Sequence, residues 1–190
     1  METPQASKWA TRFVFATVIQ GVLAVVLTAF LLYQAVFGTP AASRIVAGGG
    51  AGTWLTVGYL GYLMLGLLVT AGAAFFYQFL EVRLGKRYEG WTNAFAWANL
   101  VLWNAGVVGA TWLMMHAGYR GGAAAIPTQF GGLGWNAGQI HTNIMVTYPP
   151  YIAIFIGIAL AGAFLGVVGY LVVWASPTRL AGRARQPVTQ

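Results

Sequence analysis

Cysteine is absent from this chain, which removes disulfides, thiolate metal sites and iron-sulfur clusters. Charge is scarce as well: 7% of the 190 residues are charged and only three are acidic. A soluble domain of this length needs far more charge to cover its surface. Hydrophobic residues make up 58% instead, so the chain reads as an all-α membrane protein forming one integral-membrane domain over residues 1–190. Four long apolar runs, 13–37, 54–80, 91–118 and 151–174, are free of acidic residues. Each reaches the ~20 residues that cross about 30 Å of hydrocarbon at ~1.5 Å per residue. They are too long and too continuously apolar for the alternating strands of a barrel, so a four-transmembrane-helix bundle is expected.

Eight of the ten basic residues fall on one side of these spans. Lys8 and Arg12 precede the first, Arg83, Lys86 and Arg87 lie between the second and third, and Arg179, Arg183 and Arg185 follow the fourth. Only Arg44 and Arg120 fall in the other loops. Short loops rich in Lys and Arg stay in the cytoplasm during insertion, which places both the N-terminus and the C-terminus there and makes the protein a multi-pass protein of the cell's inner (plasma) membrane. The net charge of +7 is juxtamembrane, not gathered with stacking aromatics in one stripe. It therefore speaks for contact with anionic lipid and against nucleic acid. The first span is too long for a signal-peptide core and is expected to stay as a helix.

The loops differ in character. Trp9 is expected at the inner interface with its ring among headgroups. Gly38 to Gly52, with Pro40 and three consecutive glycines, reads as a flexible outer loop. The inner loop from Glu81 to Gly90 carries five charges in ten residues. The outer loop 119–150 is glycine-rich, contains Pro127 and Trp135, and has a weakly amphipathic stretch from Gln139 to Tyr148. It is longer than a turn requires, and is expected to lie against the membrane surface or a partner, with a plain disordered connection as the alternative. Pro149 and Pro150 suit the first turn of the fourth helix. Gly157, Gly162 and Gly166 in the fourth span, and Gly58, Gly61, Gly66 and Gly72 in the second, allow close helix approach.

Chemistry has few places to sit. With no Asp, Glu, Lys or Arg inside a span, a proton-coupled carrier, a charged ion filter, a retinal Schiff base and a carboxylate-bound metal pair are all disfavoured; no metal site is expected. His116 ends the third span and His141 lies in the loop after it, so the two could ligate one b-type haem or serve only as interfacial polar residues. On the third helix Asn93, Asn99 and Asn104 alternate with Trp91, Trp97, Trp103 and Trp112. Asn99 and Asn104 need partners in hydrocarbon, and Thr56, Thr70, Tyr59, Tyr62 and Gln20 are available.

From Gly58 to Gly118 the chain resembles part of the catalytic subunit (subunit I) of haem-copper oxygen reductases of the B type. The resemblance rests on Gly58-Tyr-Leu-Gly-Tyr-Leu, on Phe76-Tyr77-Gln78-Phe79-Leu80, and on Leu84-Gly85-Lys86. It continues through Leu102-Trp103-Asn104-Ala105-Gly106 to His116-Ala117-Gly118, and Tyr148-Pro149 fits it too. The matching helix in that family carries a His-x-His pair of haem ligands, and the corresponding positions here are Tyr59 and Gly61. Glycine has no side chain to offer, and tyrosine binds as phenolate. The copper-ligand helices have no counterpart.

The resemblance therefore implies a respiratory oxidase subunit without redox centres, not catalytic by itself, holding or shielding the catalytic subunit of a cytochrome c or quinol oxidase complex. Its partners are then other membrane subunits of that complex and lipid, and no cofactor is expected in this chain. The alternative is an electron-transfer subunit that binds one haem b through His116 and His141, or a quinone near Trp103 and Asn104. A third reading is a stand-alone membrane protein of common ancestry.

Overall fold

The computed structural model describes residues 7–177; Arg179, Arg183 and Arg185 lie outside them. The described residues are helical with no strand. Four helices are long and apolar enough to cross a membrane: α1 (Lys8–Phe37), α3 (Gly50–Arg83), α4 (Thr92–Ala125) and α6 (Pro149–Ala175). Two short helices, α2 (Ala42–Ala47) and α5 (Ala137–Asn143), sit in the loops at one end. Each long helix extends past its expected limits, α4 by seven residues beyond Gly118. Hydropathy falls off before the backbone hydrogen bonds do, because helix ends at a polar boundary accept Lys, Arg and Glu. Arg12, Glu81, Arg83 and Arg120 thus lie inside helices, each within a few residues of one end or two turns of it.

The start of α1 is held from outside the helix. Ser7 is its N-cap and accepts from Ala10 N at 3.0 Å. The Ser7 hydroxyl donates to the Glu81 carboxylate, which also accepts from Trp9 N at 3.2 Å. A carboxylate from α3 thereby meets exposed N–H groups at the positive end of α1. Trp9 itself is fully buried, with its indole N–H donating to Asn93 Oδ1 at 3.1 Å. This corrects the expectation of a headgroup-level ring: an indole can satisfy its single donor inside the protein once an amide on a neighbouring helix faces it.

The bundle runs up and down in chain order. α1 packs on the second half of α3, the first half of α3 packs on α4, and α4 packs most extensively on α6. The α4–α6 contact follows one row on α6, Ile152, Phe155, Ala159, Gly162, Gly166, Gly169 and Val173, spaced alternately by three and four residues. This is the heptad spacing of a left-handed helix pair, with small residues where side-chain knobs would otherwise stand. A Cβ on Gly106 would lie 2.6 Å from Phe155 O, and one on Gly162 would lie 2.5 Å from Trp103 N. The two backbones touch there. The α3–α4 seam is similar, with Gly118 against the Leu55 backbone and Gly58 against Thr111 and Met115.

Both loops at the end opposite Glu81 are folded. The segment after α1 is no mere flexible connection: it forms α2, whose Ile45 is fully buried and lies beside Gly52 and Gly122. The segment after α4 packs on the protein's own helix ends. Ile140, Ile144 and Met145 join Ala117, Ala124 and Ile152 in one apolar cluster, and Trp135 N donates to Ala124 O at 3.0 Å. Asn136 and Gln139 close a reciprocal capping box at the start of α5. The Arg44 guanidinium lies 4.0 Å from the Phe130 ring centre and so ties the two loops together. The amphipathic stretch had an apolar side to bury, and the glycine-lined ends of α3 and α4 offer the nearest surface.

Candidate functional site

Polar side chains in the bundle converge on the three asparagines of α4. Asn104 Oδ1 accepts from Gln20 Nε2 of α1 at 2.9 Å, and Thr70 Oγ1 of α3 lies at 3.5 Å. The amide of Asn104 donates back to Leu100 O at 2.7 Å. Gln20 Oε1 accepts the Tyr62 hydroxyl at 2.6 Å, and Gln20 O lies 3.1 Å from the same hydroxyl. Three helices are thus joined through one amide pair. Tyr62 begins a π-helical stretch of α3, Tyr62–Val69, whose wider turns carry the helix from its contact with α4 to its contact with α1.

Asn99 makes a second junction. Its amide donates to Gly162 O at 3.0 Å, and its Oδ1 accepts the Tyr77 hydroxyl at 3.2 Å. Of the partners expected for Asn99 and Asn104, Gln20 and Thr70 bond to Asn104 directly and Tyr62 acts through Gln20. Tyr77 and the Gly162 carbonyl were not foreseen. A backbone carbonyl freed by a glycine contact has no signature in side-chain composition.

Beside this junction lies a groove of about 390 Å³ between α3 and α6, floored by α4. Val69 and Phe76 form one wall, Val167 and Leu171 the other, and Asn99 and Trp103 lie at the bottom. Its walls are exposed apolar side chains. The Trp103 indole nitrogen is buried without a hydrogen-bond partner.

At the basic end Trp9, Phe13, Tyr77, Tyr88 and Val173 share one core. Arg12 stacks on two rings, 4.4 Å from the centre of Trp9 and 4.5 Å from that of Trp97. Lys86 Nζ donates to Ser176 O, placing an ammonium at the negative end of α6. Tyr88, in the loop after α3, is buried, and burial pushes its phenol up, with neighbouring Tyr77 and then Glu81 adding to the effect.

The two histidines are both exposed. His116 lines a groove with Leu27, Leu31 and Leu55, and its ring lies 5.8 Å from that of Tyr148. His141, on α5, lines a different groove with Trp54, Trp135 and Met145. The positions that correspond to haem ligands in the resemblance face neighbouring helices. Tyr59 Oη lies 2.8 Å from Thr28 Oγ1 of α1, and a Cβ on Gly61 would sit 3.6 Å from Thr111 Cγ2 of α4. Among the described residues no group of three or more His, Cys, Asp or Glu is arranged to hold a metal ion.

The arrangement defines a four-helix bundle of membrane-crossing dimensions with amide-centred polar junctions and a lateral apolar groove. No protein-family model, curated protein or solved structure matches this chain.

Proposed function

We propose that the chain is a non-catalytic integral-membrane subunit of a respiratory terminal oxidase complex, which packs against or stabilises the catalytic subunit. In this reading it crosses the plasma membrane four times with both termini in the cytoplasm, as the basic loop from Arg83 to Arg87 favours. The observation that carries the proposal is the coincidence of two features. The oxidase-like stretch Gly58 to Gly118 covers most of the α3–α4 pair, and the two positions where that family holds haem ligands carry Tyr59 and Gly61 packed on α1 and α4. A helix pair with that ancestry and without imidazole at those two positions retains a packing surface and loses the electron path. Among the described residues no acidic or basic side chain lies in the middle of a long helix, which speaks against ion or proton transport as the task.

Mild-detergent extraction of the tagged chain from native membranes, followed by identification of what travels with it, tests the proposal. Recovery of oxidase subunits in fixed proportion supports it. Recovery of the chain alone, or as a homo-oligomer, overturns it in favour of a stand-alone protein.

A further inference from the structure

We infer that the groove between α3 and α6 is a binding site for one acidic phospholipid, with an acyl chain in the groove and the phosphate at the Lys86 end. The inference rests on the four helices crossing a bilayer and not on the oxidase proposal.

The groove is open on the side that faces hydrocarbon, because Phe76, Val167 and Leu171 on its rims are half or more exposed. Small residues make the slot: Ala73 on α3 and Ala163 on α6 line it where larger side chains would fill the space between the two helices. A flexible hydrocarbon chain fills such a channel without needing a polar partner. A void beside lipid would forfeit the dispersion contacts of its whole lining.

The charge at one end selects the headgroup. Lys86 follows α3 and reaches across to Ser176 at the end of α6, so its ammonium spans the same two helices that wall the groove. One hydrogen bond to a carbonyl leaves two of its three donors for a phosphate oxygen. Arg83, on the last turn of α3, is exposed, and so is Trp174 on the last turn of α6; such residues lie at headgroup level. Of the two acids at this end, Glu81 is turned to the opposite side of α3, where it holds Ser7 and Trp9, and Glu89 lines a separate polar groove with Lys8, Glu81 and Arg87. The end of the groove is therefore cationic and aromatic, which suits a phosphate carrying net negative charge better than a zwitterion.

The test uses the full purified chain, stripped of lipid in detergent, with native mass spectrometry against added phosphatidylglycerol and phosphatidylcholine. One phosphatidylglycerol is expected to be retained in preference to phosphatidylcholine. Lys86→Gln should lower that preference about fivefold, the effect of one basic residue at a membrane surface. Ala163→Leu fills the slot and should abolish the retained lipid, and Ala73→Leu does the same from the opposite wall if the first variant fails to fold. Arg44→Gln, at the other end of the bundle, should leave binding unchanged. Equal retention of the two lipids, undiminished binding by a folded slot-filling variant, or extraction of a quinone from the groove overturns the inference. Loss of oxidase partners with lipid binding intact would overturn only the proposed function.

Discussion

The side-chain amide of Gln20 donates to Asn104 across 2.9 Å in the interior of the bundle, and Gln20 is only 4% exposed. Neither residue has water available as a substitute partner when the helices are in a bilayer. Replacing one should therefore cost more than the bond itself, because the other amide is left unsatisfied. In a double-mutant cycle of Gln20→Leu and Asn104→Leu, unfolding measurements in detergent micelles should give a coupling of about 0.6 to about 1.7 kcal/mol. Additive single effects would show that the amide pair does not hold α1 to α4.

The α4–α6 contact depends on the absence of side chains. Gly106→Val or Gly162→Val puts methyl groups where backbone atoms of the partner already lie. Each should destabilise by about 1–3 kcal/mol or more, read as a lower melting temperature and lower yield. Gly157 belongs to the same helix as Gly162, but a Cβ at that position would meet nothing within 4 Å. Gly157→Ala should be neutral or slightly stabilising, since a helix-interior glycine costs ~1 kcal/mol relative to alanine.

Glu81 couples the beginning of α1 to the end of α3. Ser7→Ala removes the N-cap and should cost about 1 kcal/mol. Glu81→Ala should cost at least as much, because Trp9 N loses its acceptor and the helix loses a favourable charge. If Glu81→Ala melts with the wild type while Ser7→Ala does not, the carboxylate is not part of the cap.

Tyr88 predicts an alkaline limit to stability. Burial holds its phenol above the usual value in the folded chain, so folding favours the protonated form. That contribution is fully present below the unfolded tyrosine pKa of about 10 and is lost as pH rises beyond it. Stability should fall above about pH 10, and Tyr88→Phe should flatten the fall. Tyrosinate absorbance in the near ultraviolet should show this phenol ionising only with unfolding. An early titrating signal lost in Tyr88→Phe would contradict the burial.

His116 and His141 line separate grooves, and axial ligation of one haem needs both imidazoles on a common axis. The chain purified from haem-replete cells should show no Soret band. A band abolished by His116→Ala and equally by His141→Ala would establish the haem reading and displace the proposal of a subunit without redox centres.

Much of this architecture was legible in hydropathy. Four helices occur at the four apolar runs, and Pro149 begins α6 as its fixed backbone angle favours. The need of Asn99 and Asn104 for interhelical partners was also legible, since an amide in hydrocarbon has no alternative. Their partners were only partly so. Gln20 and Thr70 are polar and visible in the sequence, whereas Gly162 contributes a carbonyl exposed by the lack of a side chain. The groove was not legible at all, because it lies between two helices, α3 and α6, that are far apart in the sequence and are brought side by side only by their common packing on α4.

What the sequence by itself determined was the set of segments that prefer an apolar surrounding and the polar segments that separate them. These preferences belong to single residues and short windows. Only the tertiary structure decided which apolar residues meet protein and which face outward: Trp9 and Ile45 are fully buried, while Phe76 and Leu171 edge an open groove. Hydropathy cannot separate these cases, because lipid and the interior of a helix bundle are similarly apolar. Close approach at glycines and satisfied amides make the choice, and both depend on which helices are neighbours.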